Sequence, residues 1–195
     1  METIVNRRSI RKYKPDTIPS EIIENIIKAG ALAPSAKNRQ PWKFIVVTGE
    51  SKAEMLSVMK TGLEREKSSP LLPNSSIHIK DAEYTLSIMK QAPVIIFIIN
   101  PLGINLHETL TPEDHIYEIC NAQSIGAAIE NMILTATESG LGSLWICNTY
   151  FAYEELCRWL NTDGELFAAL AIGYADEAPS ARPRKKTDSI TEWRK

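Results

Sequence analysis

The 195-residue chain lacks several features that would place it in a class at once. Its longest apolar run, Val94 to Ile99, is far shorter than the roughly 20 residues a membrane helix needs. Only Ile4-Val5 precedes the basic residues Arg7, Arg8 and Arg11, so the apolar core of a secretory signal is missing and a soluble protein is expected. The three cysteines, Cys120, Cys147 and Cys157, form no CxxC pair and no His/Cys cluster at metal spacing. No metal is expected, and the odd count fits reduced thiols in a cytoplasmic setting better than a disulfide framework. Charge of one sign is also missing: a formal net charge of −2 supplies no overall field for binding nucleic acid. Neither GxGxxG nor a Walker loop occurs, which argues against a Rossmann dinucleotide site and a P-loop. His78, His107 and His115 fall outside every segment that carries a chemical pattern and are expected on the surface or in loops.

What is present is ordinary globular material, 44% hydrophobic and 24% charged, in a length that favours one domain spanning residues 1–195. Pro19 followed by Ile22, Ile23, Ile26, Ile27 and Ala31 predicts an amphipathic helix that stops before Pro34. Residues 42–48 are aromatic and β-branched and predict a strand. Residues 94–99 are apolar on both faces, as a central strand covered by helices would be. Residues 52–67 have a helical pattern, residues 68–76 a loop pattern, and 50–91 as a whole is the least legible stretch. A long helix is expected over 117–139, with a wide apolar face and glycine stops at Gly140 and Gly142. Strands at 143–147 and 166–174 flank a short helix at 153–160, and the tail from Ala175 is expected to be extended. The sum is a mixed α/β domain.

Chemistry concentrates in four separated segments. Arg7-Arg8-Ser9-Ile10-Arg11 places three guanidinium groups and a hydroxyl within five residues, a set that meets phosphate oxygens with paired hydrogen bonds. Taken alone, such a run is more often a solvated basic face. Ala33-Pro34-Ser35-Ala36-Lys37-Asn38-Arg39-Gln40-Pro41-Trp42 leads from a helix into a strand and offers small residues and backbone amides to a planar ligand. Gly140-Leu141-Gly142-Ser143-Leu144-Trp145-Ile146-Cys147 permits a tight helix exit and presents backbone groups along the strand that follows. The fourth is the basic tail Arg182-Pro183-Arg184-Lys185.

In this order the four segments resemble the FMN-dependent nitroreductase family. The resemblance implies an α+β nitroreductase-like fold, with a central mixed β-sheet flanked by helices, and an intertwined homodimer holding FMN at the subunit interface. It implies that Arg7, Arg8, Ser9 and Arg11 contact the phosphate and the flavin ring, with Arg7 or Arg11 as the cation near the ring's pyrimidine edge. Pro34, Ser35, Ala36 and Asn38 resemble the loop contributed by the partner subunit. Trp145, Ile146 and Cys147 resemble the strand end along the ring, and Arg184 a second phosphate ligand that Lys185 could replace. The chain departs from the family at Ile146-Cys147-Asn148, where a run such as Ile-Gly-Gly is common. Cys147 is expected to pack as a small buried hydrophobe rather than to react.

The activity implied is hydride transfer from NAD(P)H to nitroaromatics, quinones or similar acceptors, with the redox steps carried by the flavin and no catalytic side chain assigned. Same-fold flavin enzymes with dehalogenase, dehydrogenase or flavin-degrading chemistry remain open alternatives, as does a non-catalytic FMN-binding sensor. A nucleic-acid patch formed by the basic termini is the remaining one.

Overall fold

The computed structural model describes residues 1–194. Among them the chain forms, in order, α1 (Glu2–Asn6), α2 (Ser20–Ala31), β1 (Lys43–Val47), α3 (Gly49–Ser68), α4 (Ile79–Gln91), β2 (Val94–Asn100), α5 (Pro112–Glu138), β3 (Gly142–Ile146), α6 (Tyr153–Leu160) and β4 (Glu165–Gly173). The four strands make one sheet in the order β1-β2-β4-β3.

Alternation along β2 explains the layers. Ile95, Phe97 and Ile99 enter a core beneath α3, α4 and α6, with Met55, Met59, Met89 and Leu156. Val94, Ile96 and Ile98 point the other way and pack with Ile26 of α2 and Ile125, Ile129, Met132 and Ile133 of α5. Every residue of β2 is buried. A strand apolar on both faces is stable only when both faces are covered, and each fully buried aliphatic side chain contributes about 1.5–3 kcal/mol. The sheet is antiparallel at all three pairings rather than mixed. Its parallel contact is the isolated bridge Ser9–Ser143, which lays the arginine-rich segment beside β3.

Three elements depart from the sequence-based boundaries. α5 starts at Pro112 because Thr111 and Asp114 form a reciprocal capping box: Asp114 N–H donates to Thr111 Oγ1 at 3.2 Å and Thr111 N–H to Asp114 Oδ2 at 2.9 Å. α1 and α4 lie where no helix is expected. α4 is held from below by buried Ala82, Thr85, Ile88 and Met89. At the far end of α5, Gly140 adopts a φ of +75°, which lets Leu141 N–H return to Ala136 O at 2.9 Å and ends the helix. Among the described residues no helix is long and apolar enough to cross a membrane.

Candidate active site

The structure brings the two ends of the chain together. Arg7, Arg8, Ser9 and Arg11 line a cavity of about 640 Å³ with Pro179, Ser180, Arg182 and Arg184. Lys185, the alternative to Arg184, is absent from this lining, whereas Arg182 is part of it. Two devices hold the segments in place. Ile10 N–H donates to Ser143 O at 2.9 Å, and Lys14 N–H to Tyr174 O at 2.9 Å, which stitches the N-terminal segment to the sheet edge. Glu177 accepts from the backbone N–H of both Arg11 and Lys12, buckling the tail onto the same segment.

Below them, Tyr13 is buried and its hydroxyl reaches Ile10 O at 2.8 Å and Ala171 O at 3.2 Å. Burial, reinforced by Glu177, pushes its pKa far above the ordinary phenol value, so it stays a neutral donor. The arginine side chains are partly engaged. Arg8 Nη1 donates to Val5 O at 2.6 Å and Arg7 O at 2.9 Å, and Arg11 Nη1 to Ser9 O at 3.1 Å. Arg7 Nε faces Glu130 of α5 at 3.8 Å. Each guanidinium has five N–H donors, so all three retain capacity for an anion.

Arg11 also lines a second cavity, of about 400 Å³, which runs along the end of β3. Its walls include Trp145, Ile146, Cys147 and Asn148, facing Asp81, Tyr84 and Thr85 of α4. Ile146 is buried in the core, while Trp145 is 37% exposed. Cys147 corrects its expectation: it is exposed and lines the cavity rather than filling the core. Its side chain continues the alternation that exposes Trp145 and buries Ile146, so it falls on the outward face and not in the core. Partial desolvation pushes the Cys147 pKa up, leaving a protonated and weakly nucleophilic thiol.

Pro34, Ser35, Ala36 and Asn38 line neither cavity. They belong to a connection whose Lys37, Asn38 and Gln40 all adopt positive φ, of 54°, 54° and 49°. Three non-glycine residues in that region store strain of about 1–3 kcal/mol each, offset here by Gln40 N–H donating to Ser35 Oγ at 3.0 Å and Ala36 N–H to Ser124 Oγ at 3.3 Å. Arg39 then sits over the Tyr117 ring at 5.0 Å.

Sequence reasoning missed Glu177, the α4 wall and Asn148. Glu177 and Thr85 carry no local signal, since each acts across a long stretch of chain. Asn148 stood out only as a departure from the family pattern. His78, His107 and His115 are exposed and line neither cavity.

The profile of the Nitroreductase family matches residues 4–174. YfhC of Bacillus subtilis (strain 168), provisionally named an NAD(P)H nitroreductase, is 27% identical over 195 residues, covering 98% of this chain and 92% of that protein. A BluB-like flavoprotein from Clostridium difficile 630 superposes with a TM-score of 0.75 at 26% identity, covering 100% of this chain and 98% of that one. A Desulfovibrio desulfuricans protein, provisionally named a nitroreductase and solved with FMN, shares the fold with a TM-score of 0.73 at 24% identity, over 99% and 95% of the two chains. The class is therefore an oxidoreductase of α+β fold. The chain belongs to the Nitroreductase family.

Proposed function

We infer that the protein is an FMN-dependent oxidoreductase that takes hydride from NAD(P)H and passes it to nitroaromatics, quinones or similar acceptors in a ping-pong cycle. The supporting observation is the meeting of Arg7, Arg8, Ser9 and Arg11 with Arg182 and Arg184 around one cavity. The donor set fits a phosphate, because guanidinium groups bind its oxygens in pairs and Ser9 adds a hydroxyl. A volume of about 640 Å³ suits a ligand of this size, since small-molecule sites run from roughly 300 to 1,000 Å³. When bound, FMN supplies the hydride and electron transfers.

In this reading Arg7, Arg8, Ser9 and Arg184 hold the phosphate, and Arg11, common to both cavities, sits at the ring's edge. Trp145, Ile146 and Cys147 lie along the ring, and α4 closes the opposite wall, limiting water. The functional unit is a homodimer, one FMN-binding domain per whole chain, in the cytoplasm. Two observations support the pairing. Ile116 and Ile119 on α5 are 60% and 57% exposed, an apolar surface that a second copy would cover. The strained loop carrying Pro34, Ser35, Ala36 and Asn38 borders that surface through Arg39 and Tyr117, which supports its reaching the partner subunit's site.

The test is anaerobic addition of NADH to the FMN-loaded protein. Bleaching of the flavin band, followed by recolouring when a nitroaromatic or quinone is added, is the expected result. A yellow protein that NADH and NADPH leave unchanged points to a sensor, and oxidation of an organic substrate with no nicotinamide present points to a same-fold dehydrogenase.

A further inference from the structure

The second cavity holds a hydrogen-bond relay in a position where this chain departs from the family pattern. Thr85 is buried on α4, and its hydroxyl donates to Asp81 O, one helical turn back, at 2.9 Å. A hydroxyl has a single hydrogen, so Thr85 Oγ1 has only lone pairs left for its second neighbour. That neighbour is Asn148, whose Nδ2 donates to Thr85 Oγ1 at 2.9 Å. The direction of this bond fixes the amide: its NH₂ faces α4, and Oδ1 remains an available acceptor on a residue that lines the cavity. The cavity's carboxylate, Asp81, is instead turned to His78 at 3.3 Å at an exposed position.

We propose that Asn148 is a specificity-determining residue for the nicotinamide substrate, its Oδ1 accepting an N–H of the ring's carboxamide, with Thr85 as the positioning residue that holds the amide in that sense. The assignment rests on the functional reading above and adds that NAD(P)H and the oxidant use this cavity in turn. Hydrogen-bond chemistry separates the two. A carboxamide brings two N–H donors, whereas nitro groups and quinones present only acceptor oxygens and gain nothing from Oδ1. An oriented acceptor therefore favours the hydride donor in a pocket that both must share.

The experiment uses the FMN-loaded protein and compares NADH with its reduced 3-acetylpyridine analogue, in which a methyl group replaces the carboxamide NH₂. Dividing variant by parent cancels the analogue's own reactivity. Asn148→Ala is expected to raise the KM for NADH about fivefold, with kcat, the analogue's KM and the quinone KM unchanged, as loss of one neutral hydrogen bond predicts. Thr85→Val moves the NADH-to-analogue ratio in the same direction, and Thr85→Ser, which keeps the hydroxyl, restores it. A purely structural role for Thr85 would instead change both nicotinamides alike. If Asn148→Ala does not load FMN, the Thr85→Val and Thr85→Ser pair decides. A parent that NADH bleaches, with a ratio unmoved by these variants, overturns this assignment alone. A parent that NADH does not reduce overturns the functional reading and this assignment with it.

Discussion

Arg11 joins the two cavities, and its backbone N–H is held by Glu177 while its side chain reaches Ser9 O. Replacing it with alanine leaves the backbone bond intact and removes a cation from the junction. Arg11→Ala is expected to weaken FMN binding about ten- to a hundredfold, the scale of a lost charged hydrogen bond, in a titration of flavin fluorescence. Unchanged affinity in the folded variant would remove Arg11 from the site. Cys147 makes a second residue-scale prediction. Because its thiol pKa is raised, alkylation by iodoacetamide is expected to be slow at neutral pH and to accelerate only above the ordinary thiol value of about 8.5. Fast labelling at pH 7 would contradict the protonated state. The arginines were legible because clustered guanidinium groups form a local chemical pattern. Thr85 and Asn148 lie 63 positions apart, and only the folded chain brings them together.

The packing of α3 shows what single elements withhold from sequence. Gly62 sits where a Cβ would lie 2.3 Å from the Ala152 Cβ and 2.5 Å from its Cα, so α3 and the turn before α6 approach backbone to backbone. Gly62→Ala is expected to destabilise the protein by about 1–3 kcal/mol, visible as a lowered Tm. Beside this contact, Arg65 bridges Glu155 at 3.0 Å and buried Glu66, which also accepts from Leu71 N–H at 2.9 Å and Leu72 N–H at 2.7 Å. The hydrogen bond from Arg65 holds the Glu155 pKa below the usual carboxylate range. A depressed carboxylate pKa contributes stability above its unfolded value of about 4.3, and that contribution is lost as pH falls through the folded value. Glu155→Gln is therefore expected to flatten the acid limb of a Tm-against-pH curve; an identical limb would refute the pairing. The strands and α2 were legible from apolar period and proline punctuation. α4 was not, because its buried positions, Ala82, Thr85, Ile88 and Met89, mix small and polar residues with apolar ones.

At the scale of the whole molecule, the chain's termini and its exposed apolar residues form one problem. Ile116 and Ile119 on α5 and Leu32 beyond α2 stand in water, and the tail carries an 82% exposed Trp193. If a second copy covers the α5 surface, Ile116→Asp combined with Ile119→Asp should convert a dimer to a monomer in sedimentation velocity and weaken FMN binding at the same time. A parent protein that sediments as a monomer when loaded with FMN would contradict the dimer. The family resemblance implies the dimer, but the residues of its surface are not legible in one chain, because that surface is shared between two copies. We propose that both ends of the chain build one phosphate-binding cavity. Its most direct test compares binding of FMN with riboflavin, which lacks the phosphate, in the parent and in Arg184→Ala. FMN is expected to bind the parent at least about a hundredfold more tightly, and Arg184→Ala to erode this preference while leaving riboflavin affinity unchanged. Equal affinity of the parent for the two flavins would contradict it.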